Sequence, residues 1–234
     1  MKLYSAWYCP FAQRTWMSLL QKGVKFEYIE TDPYDKTEQW LNTSRQTGTV
    51  PVLAPEKGNT IPGSTRTIEY LELASPNTPR LYSIDPEEKA EQSFWIDFVS
   101  EHITPYFYRF LKSQKNDDFQ YESTNKLVEG LSVITQAMSN QGPYFNGNDI
   151  SAVDITLFPF AYRIKLLLGF YKSFELPQQG PTWQRLNRWY TEMLTSSSFQ
   201  KTIGNAKDYD QRLIQFYLPY SLGGGQANVT ALAT

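Results

Sequence analysis

The amino-acid sequence predicts an α/β domain followed by an all-helical domain. Strand-like and helical segments alternate within residues 1–75, and two prolines interrupt that pattern at Pro76 and Pro79. Beyond them, apolar residues recur at helical spacing. The expected boundaries are residues 1–75 for the α/β domain, 76–84 for a linker, 85–215 for the helical domain and 216–234 for a C-terminal tail.

Composition and charge argue against several classes of protein. The formal net charge of −2 gives no sign of nucleic-acid binding. A single cysteine rules out a disulfide framework and fits a reducing compartment. The N-terminus lacks the apolar run of a signal peptide, and charged residues interrupt the most apolar stretch, 155–171. We therefore expect a cytoplasmic protein with no membrane span. The sequence contains no zinc-cluster motif, so no metal site is expected.

The α/β domain is expected to begin with a strand–helix–strand unit. Residues 2–5 predict the first strand, and a helix follows from Pro10 to about Gly23, since proline favours the first helical position and glycine the position after the last. Alternating apolar residues over 24–29 predict a second strand. This order of elements favours a parallel pair of strands.

A third and a fourth strand are expected to pair antiparallel. Residues 49–54 predict the third strand, and Pro51 within it implies a sheet edge, a bulge or a cis peptide bond. After a turn at 55–59, residues 60–61 predict a short fourth strand. Ser64 is then expected to cap the next helix.

The helices of the second domain are expected to begin at recognisable capping signals. Asp85 followed by Pro86 predicts one start. Pro105 is expected to end or kink that helix. Ser151 and Asp154 have the spacing of a capping box, which predicts the start of a further helix.

Cys9 is the candidate catalytic residue. Because it precedes Pro10, it is expected at the N-cap of the first helix. There the free N–H groups of the first turn and the helix dipole both favour an anion. The pKa of a cysteine in such a place can fall well below the free value of about 8.5. We predict a reactive thiolate, against the alternative of a cysteine that packs as a small hydrophobe.

The absence of a second cysteine limits the chemistry of Cys9. A dithiol redox site would have a cysteine where Ala12 stands. Cys9 can therefore form a mixed disulfide but cannot resolve it within the chain. The resolving thiol is expected to come from outside, most simply from a small thiol such as glutathione.

Three motifs resemble those of the glutathione transferase superfamily. The segment 8–14, YCPFAQR, is similar to the cysteine motif of omega-class enzymes. The segment 49–53, TVPVL, is similar to the family's loop with a cis-proline, and 147–155 to its helical capping box. The resemblance covers nearly the whole chain. It implies an N-terminal thioredoxin-like domain that binds glutathione and an all-helical C-terminal domain that lines the second substrate's pocket.

The resemblance also implies roles for individual residues. Cys9 is expected to be catalytic, and Val50 to pair its backbone with glutathione, the expected co-substrate. Ser64 is expected to meet the γ-glutamyl carboxylate at a helix N-terminus. The implied glutathione-binding residues are Phe11, Val50, Pro51, Ser64 and, as the nearest basic candidate, Lys36.

One position departs from the family's pattern. Relatives usually have Glu-Ser at this helix start, with the glutamate holding the amino group of glutathione, whereas this chain has Gly63 and Ser64. Chloride-channel-like relatives share a similar cysteine motif and also lack the acid. Glu69 lies on the wrong side of Ser64 to replace it.

Four residues of the helical domain are candidates for an apolar substrate pocket. The alternative for the aromatic ones is ordinary core packing, which is typical of rings at helical spacing. For the histidine, the alternative is a structural or surface role. The four residues are Trp95, Phe98, His102 and Tyr106.

The expected function is that of an omega-like, glutathione-dependent thiol transferase or reductase. Cys9 is expected to form a mixed disulfide with glutathione, which a second glutathione resolves. The second substrate is expected to be a small disulfide or an electrophile, and the assembly a homodimer. Two alternatives stay open: conjugation of glutathione to electrophiles, and a non-catalytic binding or regulatory protein, which the missing acid favours.

Overall fold

A computed structural model describes residues 1–114 and 118–225 of the chain. The chain divides into two compact units. The first comprises residues 1–83 together with 197–204, and the second comprises 84–196 and the described residues from 205 onward. The predicted boundaries placed the segment 197–204 in the helical domain. Within the described residues, no helix is long and apolar enough to span a bilayer.

A four-stranded sheet in the order β2-β1-β3-β4 forms the centre of the first unit. β1 pairs in parallel with β2, as predicted, and antiparallel with β3, which pairs antiparallel with β4. The Val50–Pro51 peptide bond before β3 is cis. The strands are β1 (Lys2–Ser5), β2 (Glu27–Glu30), β3 (Val52–Ala54) and β4 (Ile61–Pro62).

Helices account for most of the remaining structure. Two five-residue π-helical segments, Val99–Ile103 and Ile164–Leu168, join consecutive helices of the second unit. The helices of the described residues are α1 (Pro10–Gln21), α2 (Glu38–Thr43), α3 (Ser64–Ala74), α4 (Pro86–Phe98), α5 (Thr104–Lys112), α6 (Asp118–Ala137), α7 (Ala152–Arg163), α8 (Gly169–Lys172), α9 (Pro181–Thr195), α10 (Ser197–Ile203) and α11 (Ala206–Ser221).

This architecture confirms the predicted fold class, a small sheet with helices followed by a helical unit. Alternate residues of β1 explain how both faces of the sheet are covered. Leu3 packs with Leu19 of α1 and Leu71 of α3, whereas Tyr4 packs with Trp40 of α2. Side chains of a strand alternate between the two faces, so β1 contributes to a core on each side.

Further details differ from the sequence predictions. α3 begins at Ser64, so its N-cap is Gly63 and not Ser64. Gly63 has φ +93°, a conformation that an L side chain rarely adopts, and its carbonyl accepts the Thr67 N–H at 3.1 Å. The predicted tail from residue 216 is also wrong at its start, because α11 continues through Ser221 and buries Tyr217. Residues 226–234 of that tail lie outside the described part.

The predicted capping box organises the start of α7. Ser151 Oγ accepts the Asp154 N–H, and the Asp154 carboxylate accepts the Ser151 N–H at 2.8 Å. The same carboxylate accepts the Phe145 N–H at 2.8 Å and Trp189 Nε1–H at 2.7 Å. Burial raises the pKa of this carboxyl, and the hydrogen bonds oppose that rise. Asp154 therefore joins three separate segments of the second unit.

A buried ion pair likewise connects separate segments of the first unit. Lys22 Nζ, at the end of α1, lies 2.8 Å from Glu72 Oε2 of α3 and 3.1 Å from the Pro79 carbonyl. Glu72 also accepts the Leu81 N–H at 3.0 Å. The side chain of Lys22 has no exposed surface. The pair thus holds residues 79–81 against α1 and α3.

We expect Glu72→Gln to lower the free energy of unfolding by about 3 kcal/mol, because it leaves the buried Lys22 ammonium without its counter-charge. Urea denaturation followed by circular dichroism measures the change. Glu69→Gln is the matched control, since Glu69 lies exposed on the same helix. Equal effects of the two substitutions would show that the ion pair does not stabilise the fold.

We expect Asp154→Asn to lower the free energy of unfolding by about 2–4 kcal/mol, because the amide NH₂ would face backbone and indole N–H donors that need an acceptor. The exposed Asp149 offers the control substitution Asp149→Asn, for which little change is expected. Thermal unfolding of both variants tests this. A stable Asp154→Asn protein would mean that the network is dispensable.

Candidate active site

Cys9 occupies the N-cap of α1, as the sequence predicted. Its backbone has φ −80° and ψ 118°, Pro10 is the first helical residue, and its carbonyl accepts the Gln13 N–H at 3.0 Å. Its side chain makes no capping hydrogen bond with the helix. The half-buried thiol therefore lies at the electropositive end of α1, where a negative charge is stabilised.

The sulfur of Cys9 lies next to the segment that precedes β3. Its Sγ is 3.9 Å from the Val50 carbonyl oxygen, to which the thiol donates. Cys9 and Val50 pack on the same apolar cluster, which includes Ala12 and Trp40. The pairing of β1 with β3 brings these two segments together from positions 41 residues apart.

The segment around Val50 continues to the start of α3. Gly63 N–H donates to the Pro51 carbonyl at 3.0 Å, so the cis-proline segment and the N-terminus of α3 adjoin. Ser64, the first residue of the helix, is buried. No residue of the described ranges accepts a hydrogen bond from the Val50 N–H. The thiol, a free backbone donor and a helix N-terminus thus form one continuous strip.

Arg66 lies beside this strip, where sequence analysis gave it no role. A Cβ placed on Gly63 would lie 2.9 Å from Arg66 Nη2, and Arg66 Nε donates to the Pro62 carbonyl at 2.9 Å. The guanidinium therefore covers the place from which a side chain at position 63 would extend. A cation at the third position of a helix carries no sequence signal of its own.

The other predicted binding residues have partners within the first unit. Lys36 Nζ donates to the Gly48 carbonyl, so it fastens the loop before α2 to the segment that leads to Val50. Phe11 lies in the first turn of α1, with the Arg14 guanidinium carbon 5.0 Å from its ring centroid. Roles of Lys36 and Phe11 in binding glutathione stay predictions.

Comparison with known proteins identifies the family of this chain. The models for the N-terminal and C-terminal domains of glutathione S-transferase match residues 3–79 and 118–192. The chain is 33% identical over 168 residues to glutathione S-transferase omega-1 of Rattus norvegicus. The aligned region covers 71% of this chain and 68% of the rat protein. The chain belongs to the glutathione S-transferase family.

Other members of this family are similar over a larger share of the chain. A probable glutathione S-transferase of Oryza sativa subsp. japonica, named DHAR1 and cytosolic, is 32% identical over 195 residues and covers 83% of each chain. The crystal structure of glutathione transferase Omega 3C from Trametes versicolor is 32% identical, with a TM-score of 0.77 over 86% of this chain and 87% of that one. The chain is therefore an omega-like glutathione S-transferase.

The four predicted pocket residues of this glutathione S-transferase all lie in the second unit, where three of them form a ladder of rings. Ring centroids of Trp95 and Phe98 are 5.2 Å apart, and those of Phe98 and His102 are 4.5 Å apart and stacked. His102 is exposed. Tyr106 instead pairs with Arg109, whose guanidinium carbon is 5.3 Å from the ring centroid. That these residues line a substrate pocket stays a prediction.

Two tyrosines near the thiol, Tyr8 and Tyr34, form a contact that the sequence analysis did not predict. Tyr8 packs on the apolar cluster next to Cys9 and stacks on Tyr34, with 6.4 Å between ring centroids and 6° between planes. Tyr34 follows β2, so nothing in the sequence pattern connects it to Cys9. The stack attaches the loop after β2 to the loop that carries the thiol.

Proposed function

We propose that this protein is a glutathione-dependent thiol transferase and reductase in which Cys9 is the nucleophile. The supporting observation is the position of the half-buried thiol, at the N-cap of α1 and 3.9 Å from the carbonyl of Val50. A thiolate is the nucleophile in disulfide exchange, and the N-terminus of α1 favours the thiolate over the thiol. Relatives named omega-1 and DHAR1 support the same reaction class.

The proposed reaction has two steps. In the first, the Cys9 thiolate attacks the glutathione sulfur of a mixed disulfide, forms an S–S bond to it and releases the other thiolate. In the second, the thiolate of another glutathione attacks the glutathione sulfur bound to Cys9, which releases oxidised glutathione and regenerates the Cys9 thiolate. The helix N-terminus that stabilises this thiolate also makes it a good leaving group.

Glutathione is the proposed co-substrate, and backbone groups support its place in the site. The free N–H of Val50 can donate to the cysteinyl unit of a tripeptide that lies along residues 50–51, as in strand addition. The N-terminus of α3, with the buried Ser64, can take the γ-glutamyl carboxylate. This arrangement would place the sulfur of glutathione next to that of Cys9.

We expect that oxidised glutathione adds one glutathione to the protein, on Cys9, and that reduced glutathione removes it. The apparent pKa of this modification should lie below that of a free thiol, because the N-terminus of α1 stabilises the thiolate. Intact mass spectrometry across pH measures both properties. An unmodified cysteine, or one that reacts only at high pH, would contradict the mechanism.

We expect Cys9→Ser to lower thiol transfer between glutathione and 2-hydroxyethyl disulfide to the uncatalysed rate, with an unchanged circular dichroism spectrum. Conjugation of glutathione to 1-chloro-2,4-dinitrobenzene is the comparison reaction. A variant that keeps or gains conjugation while transfer stays unaffected would favour a conjugating transferase. Failure of the unmodified protein both to bind a glutathione column and to turn over would favour a non-catalytic role.

We further propose a homodimer that works in the cytoplasm. The relative named cytosolic supports that compartment, although another relative, DHAR3 of Arabidopsis thaliana, is named chloroplastic. Sedimentation velocity on the full chain tests the assembly, with a dimer as the expected species. A monomer at micromolar concentration would contradict it.

A further inference from the structure

The start of α3 carries positive charge from two independent sources. The first is the helix N-terminus, whose first turn contains no acidic residue. The second is the guanidinium of Arg66, which is exposed and lies within contact distance of a Cβ built on Gly63. Among residues 1–114 and 118–225, no carboxylate forms an ion pair with Arg66. Its charge is therefore available to a ligand.

The backbone of Gly63 disfavours an acidic side chain at this place. The φ of +93° at Gly63 disfavours any L side chain, and the first atom of such a side chain would meet the Arg66 guanidinium. Arg66 is itself held by the hydrogen bond from Nε to the Pro62 carbonyl. A glutamate at position 63 would therefore require both a strained backbone and a displaced arginine.

A γ-glutamyl group ends in a carboxylate and an ammonium on the same carbon. At the start of α3, the carboxylate is attracted by the helix N-terminus and by Arg66, and a guanidinium can bind it with two parallel hydrogen bonds. The ammonium is repelled by the same charges, and no acidic residue of the first turn is there to receive it. The site therefore favours the carboxylate of the γ-glutamyl group and disfavours its ammonium.

We propose that Arg66 is a specificity-determining residue that makes the site recognise the carboxylate of the γ-glutamyl end and not its ammonium. This inference rests on the proposed function, in which glutathione occupies the strip from Cys9 to Ser64. The ligand class that follows is acyl-cysteinylglycine with a terminal carboxylate, whether or not the α-amino group is present. Deaminated glutathione, which is glutaryl-cysteinylglycine, is thus a co-substrate of this protein.

Three thiols allow the contributions of the carboxylate and the ammonium to be measured separately. Glutathione has both, glutaryl-cysteinylglycine keeps only the carboxylate, and 4-aminobutyryl-cysteinylglycine keeps only the ammonium. With 2-hydroxyethyl disulfide as acceptor, we expect kcat/KM for the glutaryl thiol to equal or exceed that for glutathione. We expect the aminobutyryl thiol to be at least about tenfold worse, because it loses a charge-assisted hydrogen bond.

Substitutions of Arg66 test whether this side chain causes the preference for the carboxylate. We expect Arg66→Gln to raise KM about tenfold for glutathione and the glutaryl thiol, with little effect on the aminobutyryl thiol. Arg66→Lys should keep the preference for a carboxylate, since it keeps the charge. Lys57→Gln is the matched control, because it removes an exposed cation from a turn of the same unit and should change none of the three values.

The outcomes distinguish this inference from the proposed function. If the protein transfers thiols with glutathione but kcat/KM is tenfold or more lower with the glutaryl thiol, the proposed role of Arg66 is wrong and the proposed function still stands. If Cys9 does not react at all, the function fails, and calorimetric binding of the three S-methyl tripeptides still decides the inference. Tight binding of the S-methyl glutaryl form supports it, and binding only of forms that carry the ammonium overturns it.

Discussion

The antiparallel pairing of β1 with β3 is the interaction on which the candidate site depends. Its register sets Leu3 opposite Leu53 and Tyr4 opposite Val52, so the end of β1 and the start of β3 lie at the same end of the sheet. From there β1 leads to Cys9, and Val50 lies just before β3. A slip of one residue would turn every side chain of the strand to the other face and would separate the thiol from its neighbour.

Buried polar groups join distant segments within each unit. The Lys22–Glu72 pair in the first unit and the Asp154 carboxylate in the second both bind backbone groups of distant segments. Such groups destabilise a core when they lack partners and constrain it when all partners are present. Hydrogen bonds as well as apolar packing therefore hold these loops in place.

The chemistry of the site comes largely from backbone placement and less from side chains. The N-terminus of α1 faces the sulfur of Cys9, the N–H of Val50 is free to pair, and the N-terminus of α3 favours a carboxylate. Arg66 is the exception, since its exposed guanidinium adds a full charge beside Gly63. In the proposed site, backbone groups of the fold bind glutathione, and Arg66 sets the preference at its γ-glutamyl end.

The sequence alone determined the fold class, the parallel β1–β2 pair, the N-cap position of Cys9 and the capping box of Ser151 and Asp154, because each depends on neighbours close in the chain.

Only the tertiary structure decided which distant groups meet. The contacts of Cys9 with Val50, of Tyr8 with Tyr34 and of α10 with α1 through Gln13 and Thr202 depend on sheet order and packing, which leave no periodic signal. The start of α3 at Ser64 follows from the left-handed backbone of Gly63, and the side chain of Arg66 meets Gly63 only after the helix has formed.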